Sequence, residues 1–168
     1  MVKTRLGQVQ GLHDEGVHVF LGLPYAAPPI GSRRWLVPAP AAAWTGTFEA
    51  TRFPNCCPQP PTDQEVMVGR EPGAESEDCL YLNIYTPKTD GKARPVMFWI
   101  HGGGFIQGSA NIYDGTALAR NNDIVVVSIN YRLSIFGFLD VSRWGPEYTG
   151  SGSRGFEDQI AALAWVRD

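Results

Sequence analysis

Hydrophobic positions along the chain fall into short runs of two kinds. Lys3 to Gln10 and Val17 to Leu21 alternate apolar with polar residues on either side of His13-Asp14-Glu15-Gly16, the pattern of an antiparallel hairpin. Residues 80–86, 95–100 and 124–129 also read as strands. The last two are so apolar that burial on both faces is expected. Between them, Gly115 to Asn121 is short enough for a crossover helix. Phe156 to Val166 spaces Ile160, Leu163 and Val166 at a helical period behind acidic Glu157-Asp158, so a second helix is expected there. Pro24 to Pro61 holds nine of the thirteen prolines and predicts an extended, surface-wrapping connection with little ladder. There are no internal repeats.

Composition narrows the classes of function. With 168 residues, 43% hydrophobic and 18% charged, the chain can build a globular core. A net charge of -3 supplies no basic patch, which argues against a nucleic-acid partner. The longest apolar runs fall far short of a membrane span. Met1-Val2-Lys3-Thr4-Arg5-Leu6-Gly7 reaches a glycine before an apolar signal core can form. A cytoplasmic location is therefore the expectation, with secretion open if the true start lies upstream. Three cysteines, two of them adjacent at Cys56 and Cys57, make no disulfide framework. No CxxC or HxxxH spacing suggests a metal, and no cofactor is implied.

The most informative stretch is His101-Gly102-Gly103-Gly104-Phe105, directly after the apolar run Val96 to Ile100. Three glycines at a strand end put bare backbone where a ligand can approach closely. An HGGG loop in that position is the oxyanion half of a hydrolase site. Attack on an ester carbonyl creates an alkoxide, and peptide N–H groups already aimed at it are worth about 3 kcal/mol each. Glycine-rich turns also cradle phosphates, or simply turn the chain. The spacing fits neither GxGxxG nor GK[ST], so a nucleotide loop is disfavoured.

Other segments share a family pattern in order. Gly22-Leu23-Pro24-Tyr25-Ala26 resembles GIPYA, and Pro29-Ile30-Gly31 with Arg34 resembles PVGxxRF. Cys57-Pro58-Gln59 resembles CPQ, Ser76 to Ile84 resembles SEDCLYLN, and Asn130-Tyr131-Arg132-Leu133 resembles NYRLG. Asp158-Gln159 through Val166 resembles the helix that precedes a nucleophile. From about Thr4 onward the chain resembles the type-B carboxylesterases, the family of the cholinesterases and bacterial para-nitrobenzyl esterases.

The resemblance implies an α/β-hydrolase fold, with residues 1–168 as the N-terminal portion: a hairpin, then the start of a mixed central sheet with the oxyanion loop. In that family the GESAG elbow lies roughly 15 to 20 residues beyond the DQxxALxWV helix, and no GxSxG occurs in these residues. The nucleophile, acid and base are thus expected outside the 168 residues, which alone would be inactive. The implied function is hydrolysis of small carboxylic esters, with Gly103 and Gly104 as oxyanion donors. A catalytically dead, cholinesterase-like adhesion or scaffold domain is the alternative, and SEDCLYLN argues against a hormone-sensitive-lipase type.

Phe105 and Ile106 would line the acyl pocket or belong to ordinary core. His101 is expected to order the loop rather than transfer protons. A valine at Gly103 is expected to block the site with little effect on stability. By resemblance Cys57 pairs with Cys79, whereas a reducing cytosol would keep both as thiols; both readings stand at this stage. Arg34 with Glu77 and Arg132 with Asp158 are implied ion pairs, and a buried pair broken singly costs about 3–5 kcal/mol. Trp35 replaces the family's phenylalanine. Ser134 replaces the glycine of NYRLG and puts that turn in doubt. Cholinesterases carry a choline-binding tryptophan in the loop closed by the first disulfide. Pro58 to Asp78 has no Trp, Tyr or Phe, so neutral esters are expected.

Overall fold

Glu15 and Gly16 both take positive φ, 45° and 83°, the geometry of a two-residue turn whose twist suits a hairpin. The computed structural model describes residues 1–60 and 72–168. In chain order the first strands are β1 (Val2–Lys3), β2 (Gln8–Gln10), β3 (Leu12–Asp14) and β4 (Val17–Pro24). The tight turn pairs Asp14 with Val17, so Leu12–Asp14 forms the hairpin arm. The expected arm, Lys3 to Gln10, belongs elsewhere: β2 pairs antiparallel with β1 and parallel with β5 (Thr47–Glu49), making a separate three-stranded sheet. Alternation reported a half-buried strand but carried no information about its partner.

The larger sheet adds β6 (Tyr81–Thr86), β7 (Val96–Ile100) and β8 (Val125–Ile129), in the order β3-β4-β6-β8-β7. β4, β6 and β8 fill its centre and supply Phe20, Leu23, Leu82, Val127 and Ile129 to the core. β7 departs from the expected double burial. It is the edge strand among the described residues, and Val96, Trp99 and Ile100 remain 48%, 36% and 40% exposed. Its apolarity is local, whereas burial needs a second neighbour. β7 and β8 run parallel, Val96 opposite Val125 through Ile100 opposite Ile129. Parallel pairing requires a crossover, here holding α1 (Thr116–Asn122). Both strands consequently end at the same edge, and the loops that follow them, from His101 and from Asn130, lie side by side.

Two helices follow β8: α2 (Ser134–Phe138) and α3 (Arg154–Arg167). Of the periodic residues that predicted α3, Val166 packs against the core, whereas Ile160 is 64% and Leu163 47% exposed among the described residues. Arg154, Gly155, Asp158 and Ala162 are buried instead. The inner face is chosen by an ion pair. Asp158 accepts from the Arg132 backbone N–H at 3.0 Å, from Nε at 2.8 Å and from Nη2 at 2.7 Å, with both side chains almost fully enclosed. Burial pushes the Asp158 carboxyl upward, and the Arg132 bonds pull it back. Arg34 likewise pairs with Glu77, its Nε donating at 2.6 Å and its Nη2 to the other carboxylate oxygen. That pair is not buried, the arginine side chain being 40% exposed, so the cost of a buried pair does not apply to it. Cys57 and Cys79 are joined in a disulfide, Cα atoms 5.1 Å apart.

Asp158→Asn leaves the Arg132 charge buried without its counter-charge. Urea unfolding should show a loss of about 3–5 kcal/mol. A loss below about 1 kcal/mol would mean that the neighbouring carbonyls suffice.

Candidate functional site

The glycine loop leaves β7 through His101, which is only 3% exposed. Its ring stacks on Tyr131 at 4.6 Å, and the Tyr131 hydroxyl donates to the His101 carbonyl at 3.1 Å. His101 Nδ1 lies 2.9 Å from Gly102 O. A carbonyl can only accept, so Nδ1 carries the ring proton. Nε2 is buried with no hydrogen-bond partner among the described residues. Burial lowers the ring's pKa to about 4, so His101 is neutral at physiological pH. It is a donor to the loop, as expected.

That donation aims the next peptide. Carbonyl and N–H of a trans peptide point in opposite directions, and no peptide bond among the described residues is cis. Holding Gly102 O against His101 therefore turns the Gly103 N–H to the other side. Gly103 and Gly104 follow at φ 120° and 63°, conformations that L side chains rarely adopt. Gly103 O accepts from Ile106 N at 3.1 Å and Gln107 N at 3.3 Å, closing a tight turn. The expectation that valine at Gly103 would leave stability intact fails here. A Cβ on Gly103 would overlap the Gln107 carbonyl, whereas at Gly104 it would meet nothing within 4 Å.

Phe105 and Ile106 are 45% and 52% exposed among the described residues. They line an open groove of about 400 Å³ with Gly104, Ser134, Ile135, Phe138 and Leu139. No charged residue is among them. Phe105 itself sits at φ 64°, its carbonyl accepting from Ser134 N at 2.7 Å. Ser134 occupies φ 49°, the left-handed region where the family motif has glycine, at a cost of about 1–2 kcal/mol. The doubtful turn is thus made, and its N–H is spent on the glycine loop. Phe105, Phe138 and Phe156 form an aromatic triangle with centroids 5.1–5.4 Å apart.

Sequence reasoning missed Phe138, Phe156 and Asn130. Asn130 Oδ1 accepts from Ala110 N at 2.7 Å and so ties the far side of the loop to the end of β8. Its only signal was its place in NYRLG.

The chain matches the carboxylesterase family over residues 1–168. It belongs to that family. It is 44% identical over 170 residues to the para-nitrobenzyl esterase of Bacillus subtilis (strain 168), covering 100% of the chain and 34% of that relative. It is 46% identical over 177 residues to the cocaine esterase of Oryctolagus cuniculus, covering 98% of the chain and 32% of that protein. The carboxylesterase of Geobacillus stearothermophilus, in its crystal structure at pH 6.2, superposes with a TM-score of 0.90 at 49% identity, over 99% of the chain and 33% of its own. The chain spans about a third of the length of the relatives it matches. Their architecture is the α/β-hydrolase type, and the hairpin, mixed sheet and loop described above are its N-terminal part. Among the described residues no group of three or more His, Cys, Asp or Glu side chains is placed to hold a metal, and no helix is long and apolar enough to cross a membrane.

In this carboxylesterase-family chain the histidine before the glycines gives stability a pH dependence. Its folded pKa lies near 4 against about 6.5 unfolded. The unfolded chain takes up a proton first as pH falls, so stability drops between pH 6.5 and 4 by on the order of 3 kcal/mol. His101→Asn keeps a donor near the Nδ1 position and cannot titrate, so its profile should flatten in that window. His18, also held low by burial and by His13, contributes with the same sign in both proteins. An identical slope in both would place the titration outside His101.

Proposed function

We propose that residues 101–108 form the oxyanion hole of a serine carboxylesterase, and that the full-length protein hydrolyses uncharged carboxylic esters. The observation that carries this reading is the pair of consecutive left-handed glycines, Gly103 and Gly104, at an open apolar groove in a carboxylesterase-family chain. Intact donor glycines favour an enzyme over a non-catalytic scaffold. In this reading the serine nucleophile, histidine base and orienting acid lie outside the 168 residues. Serine Oγ attacks the ester carbonyl, and its proton passes to the histidine. The carbonyl electron pair moves onto oxygen, where the Gly103 and Gly104 N–H groups donate to it together with the N–H after the serine. Collapse expels the alcohol as the histidine returns its proton to the leaving oxygen, and water, activated by the same histidine, then releases the acid. Phe105 and Ile106 contact the acyl group. His101 takes no proton in this scheme, because its burial disfavours the charged ring.

Para-nitrophenyl acetate hydrolysis by the full-length protein tests this, with the 168-residue polypeptide as inactive control. Gly104→Ala places a methyl in open space where the ester would sit, at a left-handed φ that costs about 1–2 kcal/mol. Its kcat should fall about 10²-fold with the fold retained. Normal kcat would mean that these glycines only turn the chain.

Preference for neutral esters rests on two facts. The groove has no acidic lining residue, and Pro58 to Asp78 has no aromatic residue, part of that loop (61–71) being outside the described residues. A cation over an aromatic ring is worth about 2 kcal/mol when desolvated. The full-length protein should therefore show a higher kcat/KM for an uncharged thioester than for butyrylthiocholine of matching acyl chain. A clear preference for the choline ester would overturn this specificity.

A further inference from the structure

We infer that Gln59 is a positioning residue for the oxyanion loop, holding the Gly103 N–H in aim through Gly108; this rests on the reading of that loop given above. Gln59 spends its whole side-chain amide on backbone. Oε1 accepts from Gly108 N at 2.6 Å, and Nε2 donates to Gly108 O at 3.0 Å. Together these two bonds reproduce what a neighbouring strand would make, at a residue that is itself in no strand. The remaining Nε2 proton goes to Cys57 O at 3.0 Å. Cys57 is buried and cross-linked to Cys79, so the clamp stands on a fixed base.

Gly108 transmits that constraint to the peptide that matters. Its φ is 120°, and a Cβ there would collide with the His101 ring and with Gly102 O. The bare Gly108 backbone is therefore packed directly against the Gly102 carbonyl. Gly102 O is held by the His101 Nδ1 donor and backed by Gly108. Since Gly102 O and Gly103 N–H share one rigid peptide, a shift of Gly108 lets that donor swing. Preorganisation is what an oxyanion donor contributes, and a misplacement near 1 Å can cost about 10² in rate. The substrate's ground-state carbonyl depends on it far less than the alkoxide does, so loss of the clamp falls on kcat rather than KM.

Gln59→Met keeps the length of the side chain and loses all three hydrogen bonds. Gln59→Ala removes the side chain altogether. In the full-length protein, kcat is measured per active site titrated with a serine-directed phosphonate, which corrects for any unfolded fraction. Both variants should lose about 10- to 10²-fold in kcat per titrated site, with KM changed by about twofold or less. In the wild type, hydrogen exchange should show the Gly108 amide protected. Unchanged kcat per site with only a lowered Tm or titre would overturn the inference and make Gln59 merely structural, as would an unprotected Gly108 amide in the wild type. A wild type with no esterase activity would instead sink the oxyanion reading itself, and this inference with it.

Discussion

Residues 25–60 form almost no ladder, so their backbone carbonyls depend on side-chain donors from the loops beyond β7 and β8 and from α3. Proline-rich chain can accept hydrogen bonds but often has no N–H to offer, and a buried polar group left unpaired costs about 1–3 kcal/mol. The partners are accordingly side-chain donors. Asn130 Nδ2 reaches Asn55 O at 3.1 Å, and Asn111 Nδ2 reaches Pro54 O at 2.8 Å and Pro72 O at 2.6 Å. Arg132 Nη1 donates to Leu36 O at 2.9 Å, and Arg154 Nε to Trp35 O at 2.7 Å. Asn83 works the other way, accepting from Gly22 N at 2.9 Å where β4 breaks register. Removing one of these amides strands a carbonyl two segments away.

The arginines are held for this work by their own counter-charges. Arg132 is oriented by Asp158 and Arg154 by Glu157, which leaves Nη1 of Arg132 to reach Leu36 O, and Nε and Nη2 of Arg154 to reach Trp35 O and Thr149 O. This explains why α3 turns Arg154 and Asp158 inward while Ile160 and Leu163 face out. Two charges and their hydrogen bonds outrank two leucine-sized side chains, since an unpaired buried charge is much costlier than an exposed apolar group. The same α3 carries Phe156 into the aromatic triangle, so the helix fixed by the ion pair also backs Phe105 and Phe138 of the groove.

The loop inherits its precision from these attachments. Parallel pairing of β7 with β8 sets residues 101 and 130 at one edge, and Asn130, Tyr131 and Ser134 then each bond to the neighbouring loop. Gln59 brings the wrapping segment to its far end. Two non-glycine residues in left-handed backbone, Phe105 and Ser134, meet in one hydrogen bond, and strain of that kind persists where the surroundings over-determine it.

The sequence by itself determined what depends on local chemistry: the strand runs, the crossover helix, the glycine loop at a strand end and, through its resemblance, the family. The contacts Arg34 with Glu77 and Arg132 with Asp158 came from that resemblance, because residues 43 and 26 apart leave no periodic trace. Only the tertiary structure decided which arm completes the hairpin, that β7 is the edge strand among the described residues, which face of α3 packs on the Arg132 loop, and that Gln59 closes on a residue 49 positions away. Periodicity records how polar a position is within a few residues of itself. Partner, edge and inner face are properties of chain segments brought together from far apart, and they are settled by packing and by the pairing of buried charges.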